Sequence, residues 1–179
     1  MAVGGSDLIL TGPMCIQNLC DIVSKNGNLL LKAGQRADGS LPDHLVRELE
    51  VIGDWLAVHG EAIYETRPWK IFGEGPTRVG DGFGSEPTSL FTAQDVRFTT
   101  RGDILYVMVL GAPRDTVRIH SLGKGSAQQP GTVSRVTLVG SDAPVTWKQT
   151  ASDLALDPPA QLPSEHATVF RVHGAVRGG

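Results

Sequence analysis

The sequence predicts a mainly β protein, an antiparallel, Greek-key-like β-sandwich that is preceded by a helix–strand–helix unit. Up to about residue 60, apolar side chains repeat at helical spacing on either side of one short apolar run. After residue 67 they fall into short segments of two-residue periodicity, separated by turns rich in Gly and Pro. This change of period places a domain boundary near residue 67, with one unit at residues 1–67 and the sandwich at residues 68–179.

The first element is a helix from Pro13 to Lys25. Pro13 suits the first turn of a helix, and Asn26-Gly27 suits a left-handed stop after the last turn. The apolar positions fall on one face, at intervals of i, i+3, i+4 and i+7: Ile16, Leu19, Cys20 and Val23.

Residues 28–34 follow as a short apolar run between turn signals, which is typical of a strand buried on both faces. A second helix is then predicted up to Gly60, with Ser40 as its N-cap and Asp43 three positions further on. Its apolar residues repeat at helical spacing: Leu45, Leu49, Ile52 and Leu56. Helix, buried strand and helix is the order found in parallel α/β folds, because helices connect their buried strands.

The remaining elements are short strands. Residues 96–100 and 104–110 flank a turn at Arg101-Gly102-Asp103 and predict a β-hairpin. Further strands are predicted at residues 116–122, 132–139, 145–149, 154–157 and 167–172. Evenly spaced short strands of this kind are typical of an antiparallel sandwich. Residues 71–90 are rich in Gly, Pro, Ser and Thr and are predicted to be a linker.

Composition and charge exclude several classes of function. The formal net charge is -3, with 16 Lys and Arg against 19 Asp and Glu and no basic stripe, so nucleic acid is not expected as a partner. No stretch approaches the roughly 18 apolar residues of a membrane span, and residues 1–7 lack the cationic region of a secretory signal, so the chain as given is expected to be cytoplasmic. Cys15 and Cys20 have no further ligands at metal-binding spacing, which predicts reduced thiols, no metal site and no cofactor.

Several strings of the sequence resemble the α-L-fucosidases of glycoside hydrolase family 29. In the first unit these are DIVSKNGNLLL at residues 21–31, IGDWL at residues 52–56, GEAIY at residues 60–64 and TRPW at residues 66–69. In the second unit they include GEGPT at residues 73–77, GSD at residues 140–142, WKQT at residues 147–150 and the stretch at residues 91–99. Together they extend over most of the chain.

The resemblance implies a parent enzyme in which a (β/α)8 barrel is followed by a β-sandwich. Such an enzyme hydrolyses terminal α-L-fucose with retention, through a covalent fucosyl-enzyme. Residues 28–34 would then be the last barrel strand, residues 42–59 the closing helix and residues 68–173 the sandwich, so that the first unit is a remnant of the barrel. The aspartate nucleophile, acid/base glutamate and fucose-binding histidines of the family belong to earlier barrel segments, so the resemblance assigns no catalytic residue to this sequence.

One substrate-binding loop follows from the resemblance. Active sites of barrels form at the C-terminal ends of the strands, so the loop after residues 28–34 would face the fucose pocket or its rim. Its polar side chains are Lys32, Gln35 and Arg36. The family pattern has Asn, a branched residue, Gly and Pro where this chain has residues 32–35 as Lys, Ala, Gly and Gln, so an altered pocket is expected.

The carboxyl groups of the first unit do not predict an active site by themselves. A retaining glycosidase needs two carboxyl groups about 5 to 5.5 Å apart, one of them an acid with a raised pKa. Asp43, Glu48, Glu50 and Asp54 lie between the apolar positions of the second helix, where a solvated face explains them. Asp38 lies in a turn whose backbone its side chain can bond.

Three hypotheses of function remain. The first is a C-terminal fragment or split subunit of an α-L-fucosidase, inactive alone, which implies a complementing barrel polypeptide and a fucosylated glycan or fucoside as substrate. The second is a carbohydrate-binding β-sandwich module without catalysis. The third is a remnant that only folds or assembles with its own copies. Because Leu29, Leu30 and Leu31 would form an unpaired apolar edge, self-association is expected.

Overall fold

The computed structural model describes residues 11–79 and 91–176, which form two α-helices and eight strands. The helices are α1 (Gly12–Ser24) and α2 (Asp43–His59), and a 3-10 turn at Gly60–Ala62 follows α2. The strands are β1 (Arg67–Glu74), β2 (Val96–Arg101), β3 (Ile104–Val109), β4 (Val117–Ile119), β5 (Arg135–Leu138), β6 (Thr146–Gln149), β7 (Leu154–Asp157) and β8 (Thr168–His173). Within these two ranges, no helix is long and apolar enough to cross a bilayer.

Both predicted helices are confirmed, and α1 stops before Asn26 as expected. The Thr11 side chain caps the first turn by accepting one of its N–H groups. Asn26 adopts the left-handed region, with φ of 65°, and ends the helix. The two helices approach closely at Gly12, where an added Cβ would lie 2.9 Å from the side chain of Val51.

The antiparallel sandwich is also confirmed. A five-stranded sheet has the order β1-β2-β3-β8-β5, and a three-stranded sheet has the order β4-β7-β6. The chain leaves the larger sheet after β3, returns for β5, leaves again for β6 and β7, and returns as β8 between β3 and β5. This alternation between sheets gives the Greek-key-like connection, and every pairing is antiparallel.

The central strands β2, β3 and β8 of the larger sheet are buried on both faces, because the sheet lies between the smaller sheet and the helices. Along β3, Leu105, Val107 and Val109 join the core that contains the apolar side chains of β4 and β7. The alternate residues Tyr106 and Met108 join a second core with α1 and α2. The continuous apolar sequence of β3 follows from this position, since both faces of the strand exclude water.

The strand predicted at residues 28–34 is wrong. These residues form an irregular connection between the helices, and the side chain of Leu30 is 92% exposed. A strand needs a neighbour to pair its N–H and C=O groups, and no strand among the described residues lies beside this segment. The first unit is therefore helix, loop and helix.

The predicted linker at residues 71–90 is wrong at its start, because β1 continues to Glu74; residues 80–90 lie outside the described residues. Strand β1 is hard to predict from the sequence because it contains Pro68 and Gly73, which are unusual in strands. The register of its pairing with β2 also shifts between these two residues. An added Cβ at Gly73 would lie 2.1 Å from the carbonyl oxygen of Val96, so the close pairing requires glycine. The domain boundary near residue 67 stays a prediction, since the helices and the larger sheet share a core.

Candidate functional site

The predicted substrate-binding residues lie on the connection between α1 and α2. Lys32, Gln35 and Arg36 are all exposed there, on irregular backbone rather than at the end of a strand. Because all three side chains are exposed and lie on the same loop, a ligand could contact them together. Their role in substrate binding stays a prediction.

Arg36 braces this loop. Its backbone N–H donates to the Ser40 carbonyl at 2.8 Å, and its guanidinium donates to the Leu41 carbonyl at 3.1 Å and lies 3.4 Å from a carboxylate oxygen of Asp43. Ser40 is not the predicted cap of α2, which starts at Asp43: its hydroxyl donates to Asp38 at 2.7 Å. The hydroxyl and the backbone N–H of Ser40 both donate to the Asp38 carboxylate, and these two hydrogen bonds hold the pKa of Asp38 below its usual value. Arg36 is thus held by local contacts, whereas Lys32 and Gln35 are exposed on the same connection.

A buried ion pair anchors the end of α1 that leads into this loop. Arg97 on β2 donates from Nε to a carboxylate oxygen of Asp21 at 2.5 Å, and Lys25 donates to the other oxygen at 2.8 Å. The side chains of Asp21 and Arg97 are only 7% and 3% exposed. The Arg97 guanidinium also lies 5.4 and 5.0 Å from the ring centroids of Phe72 and Phe91. The sandwich therefore fixes the position from which the loop departs.

Two further side chains join the helices to the sandwich by buried hydrogen bonds. The Gln17 amide donates to the Leu110 carbonyl at 2.8 Å and accepts the Phe91 N–H at 2.9 Å. On α2, the Trp55 indole N–H donates to the Ala167 carbonyl at 3.0 Å. These three hydrogen bonds satisfy backbone groups that the seam removes from water, so the helices are docked by specific polar contacts as well as by apolar packing.

Asp95 ties the GEGPT string at residues 73–77 to the start of β2. Its fully buried carboxylate accepts hydrogen bonds from the N–H and hydroxyl of both Thr77 and Thr92, at 2.8 to 3.0 Å. Burial raises the pKa of Asp95, but the four donors outweigh burial and the pKa is lowered. Gly75 leaves room for this arrangement, since an added Cβ would lie 2.4 Å from Asp95 Oδ1.

The carboxyl groups with a shifted pKa among the described residues are not suited to act as a glycosidase acid. Three carboxyl groups have a shifted pKa, those of Asp38, Asp95 and Asp153, and all three are lowered. For Asp153 the causes are hydrogen bonds from Thr150 and Arg118. A general acid must hold its proton near neutral pH and needs the opposite shift. Nor do these ranges contain three or more His, Cys, Asp or Glu side chains placed to hold a metal ion.

An open cleft of about 520 Å³ lies between the end of β1 and β4. Two of its charged groups serve the fold: Glu74 accepts the N–H groups of His120 and Ser121 at 2.7 and 3.0 Å, and Arg118 pairs with Asp153 at 2.9 Å. None of the described residues that line the cleft is Phe, Tyr or Trp, the side chains on which a sugar ring stacks. The cleft does not favour the hypothesis of a carbohydrate-binding module.

The fold is that of the C-terminal part of a class of glycosidases. The chain superposes on the Thermotoga maritima α-L-fucosynthase with a TM-score of 0.72 and 25% identity, covering 95% of this chain and 35% of that one. For the Thermotoga maritima α-fucosidase in complex with fucose, the TM-score is 0.70 and the identity 28%, and the match covers 91% of this chain and 34% of that one.

Sequence comparison identifies the family. The family model described as alpha-L-fucosidase matches residues 7–61, and the model described as the alpha-L-fucosidase C-terminal domain matches residues 91–173. The Branchiostoma floridae α-L-fucosidase is 30% identical over 166 residues, which are 90% of this chain and 32% of the relative. The human tissue α-L-fucosidase is 28% identical, over 89% of this chain and 31% of the relative. The chain belongs to the α-L-fucosidase family and spans about a third of the length of these curated relatives.

Sequence reasoning missed the ion pair that anchors α1. Asp21 and Arg97 both lie in strings that carry the family resemblance, but they are 76 residues apart. Composition and periodicity assign a charge on a helix and a charge on a strand to the solvent. The ion pair could have been predicted only from the burial of both Asp21 and Arg97, and that burial is set by how the helix packs on the sheet.

Proposed function

We propose that the chain acts in the hydrolysis of terminal α-L-fucose as the C-terminal part of a retaining α-L-fucosidase, and that it is inactive without the rest of the barrel. Its relatives are named α-L-fucosidases, and the family model described as alpha-L-fucosidase matches ahead of the model described as the alpha-L-fucosidase C-terminal domain. The substrate is then a fucosylated glycan or a simple fucoside.

The observation that carries this proposal is a set of exposed apolar side chains in and shortly after the predicted substrate loop, here called the open face and consisting of Leu30, Leu31 and Val46. All three side chains are exposed. Of the 17 residues of α2, only Trp55 and His59 are buried, although its sequence is amphipathic along its whole length. Two consecutive exposed leucines and an amphipathic helix with few buried residues favour an interaction surface on this part of the chain. The missing barrel polypeptide is the partner that places Lys32 and Gln35 at a pocket rim.

Complementation tests this proposal with an aryl α-L-fucoside as substrate. The 179-residue chain is assayed alone, together with the N-terminal two thirds of a relative such as the Thermotoga maritima α-fucosidase, and as a fusion to that fragment. We expect no turnover by the chain alone and turnover by the mixture or the fusion. Turnover by the chain alone would contradict its dependence on the barrel. Inactivity of mixture and fusion alike would contradict its role in fucoside hydrolysis.

A matched pair of variants shows whether the open face is the contact. Leu30→Asp places a charge on this face and is expected to abolish complementation in the mixture. Lys148→Asp changes an exposed side chain of β6, in the sheet remote from the helices, and is expected to leave complementation unchanged. Equal loss with both variants would show that the contact lies elsewhere.

Self-association of the chain follows from the same surface. Without the barrel, the open face is expected to bury itself against a second copy, because burial removes apolar area from water. Light scattering at micromolar concentration measures this, and Leu30→Asp is expected to lower the mass. A strictly monomeric profile of the unmodified chain would contradict the proposal.

A further inference from the structure

A buried histidine lies where α2 docks on the sandwich. His59, the last residue of α2, is 1% exposed, and its ring stacks on that of Trp55 with centroids 5.0 Å apart and an angle of 15°. Its Nδ1 lies 3.1 Å from the carbonyl oxygen of Trp55. A carbonyl only accepts, so this contact assigns the proton of the neutral ring to Nδ1. Nε2 then carries a lone pair, and it has no hydrogen-bond partner among the described residues.

Val51, Ile52 and Leu56 of α2 pack, partly buried, on the second core, and Trp55 and His59 are buried in this contact. Trp55 and His59 are the two buried residues of α2, and the Trp55 indole N–H donates to the Ala167 carbonyl just before β8. Val58, the residue before His59, packs against Gly140, where an added Cβ would lie 2.3 Å from the Val58 side chain. A change at His59 therefore acts directly on the contact that holds the helix.

The charged groups around this contact are already paired. Glu61, on the 3-10 turn after α2, pairs with Arg171 of β8 and lies 3.8 Å from Arg101 of β2. Burial lowers the pKa of His59, and the Trp55 carbonyl and Glu61 oppose this without reversing it. The titratable and charged groups on the elements packed around this end of α2 include Tyr64, whose ring lies against Gly60, and the following residues: Glu61, Arg101, Tyr106, His166 and Arg171. Because Glu61 also serves two arginines, its attraction for an imidazolium only partly offsets the cost of burying that charge.

We propose that His59 makes the docking of α2 on the sandwich a pH-sensitive latch, which the neutral ring holds and the protonated ring releases. Protonation at Nε2 adds a donor without an acceptor and puts a charge into an apolar cluster, and both changes disfavour the docked state. Once α2 opens, the ring enters water and binds its proton at the ordinary pKa of about 6.5. Opening changes the anchorage of the loop that carries Lys32 and Gln35.

The direction of the pH dependence follows from the lowered pKa. The docked state binds the proton less readily than the open state, so docking is fully stable above about pH 6.5. Below that pH, one proton is taken up on opening, and the opening equilibrium rises about tenfold per pH unit until the pKa of the docked ring is reached. The latch is a property of this chain alone and does not rest on fucosidase activity.

Hydrogen exchange of the α2 amides, expressed as protection factors between pH 7.5 and 5.0, tests the latch. The variant is His59→Gln, which does not titrate, and the matched control is His44→Gln, in the exposed first turn of the same helix. We expect protection to fall below pH 6.5, by at most about tenfold per pH unit, in the unmodified chain and in His44→Gln, and no such slope in His59→Gln. An unchanged slope in His59→Gln would overturn the proposal.

A second measurement needs no variant, so it decides the case even if His59→Gln does not fold. The ring protons of His59 are titrated by NMR in the unmodified chain. The proposal requires a midpoint below the ordinary value of about 6.5. A midpoint at or above that value would mean that the docked ring accepts its proton readily, and the latch would not exist.

Discussion

Breaking the buried ion pair between α1 and β2 is expected to destabilise the chain strongly. Asp21→Ala removes the carboxylate that meets Arg97 Nε at 2.5 Å, in a seam where both side chains are more than nine-tenths buried. Lys25 is 35% exposed and can turn into water, whereas Arg97 cannot. The variant thus leaves a guanidinium buried without its counter-charge.

The magnitude follows from what remains around Arg97. Removing one partner of a buried pair costs about 3 to 5 kcal/mol. Arg97 keeps its hydrogen bond to the Val96 carbonyl and its contacts with the rings of Phe72 and Phe91, so we expect a value near the lower end, about 3 kcal/mol. For a chain of this length, that corresponds to a fall in Tm of roughly 6 to 12 °C.

Urea unfolding followed by tryptophan fluorescence measures the loss. Arg36→Ala is the matched control, because it breaks the exposed pair of Arg36 and Asp43, which costs about 0 to 1 kcal/mol. Replacing both buried partners, as Asp21→Leu with Arg97→Met, is expected to restore most of the stability, since no charge is left behind. The reasoning is refuted if Asp21→Ala costs less than Arg36→Ala, or if the double variant is less stable than Asp21→Ala.

Two further predictions concern the structure around Asp95. Gly75→Ala is expected to destabilise the chain by more than about 1 kcal/mol, because φ at Gly75 is 143° and the added Cβ would lie 2.4 Å from Asp95 Oδ1. The control Gly53→Ala, in an open position of α2, is expected to stabilise the chain by about 0.5 to 1 kcal/mol. Thermal unfolding compares the two variants, and equal effects would contradict the clash at Gly75. Asp95→Asn is expected to cost about 1 to 3 kcal/mol at neutral pH. Because the pKa of Asp95 is lowered, the stability that its carboxylate adds is complete above about pH 3.9 and disappears as the pH falls through the folded pKa. Plots of unfolding free energy against pH for the unmodified chain and for Asp95→Asn should therefore converge in acid. A constant gap between them would contradict this.

Local signals in the sequence predicted most elements of this fold. The apolar face of α1 and its end at Asn26 depend on neighbours within a few residues, as do the hairpin of β2 and β3 and the strand β7, whose observed bounds equal the predicted ones. These features need only periodicity and turn chemistry. The family strings added the parent fold, which composition and spacing alone do not contain.

The errors lie where a segment depends on distant partners. Residues 28–34 carry the apolar composition of a buried strand, but without a neighbouring strand they form an exposed connection. β1 carries Pro68 and Gly73, which argue locally against a strand, yet pairing with β2 makes it one. In both cases hydrogen-bond partners outside the segment outweigh its own composition.

The sequence by itself determined the family, the two helices and the antiparallel character of the second unit, because short-range periodicity and continuous family strings record them. Tertiary structure decided which charges are buried, as in the pair of Asp21 and Arg97, and which apolar residues remain exposed, as for Leu30. The physical reason is that burial and ion pairing are properties of surfaces brought together over long chain distances. Asp21 on α1 and Arg97 on β2 become one contact only when the helix docks on the sheet.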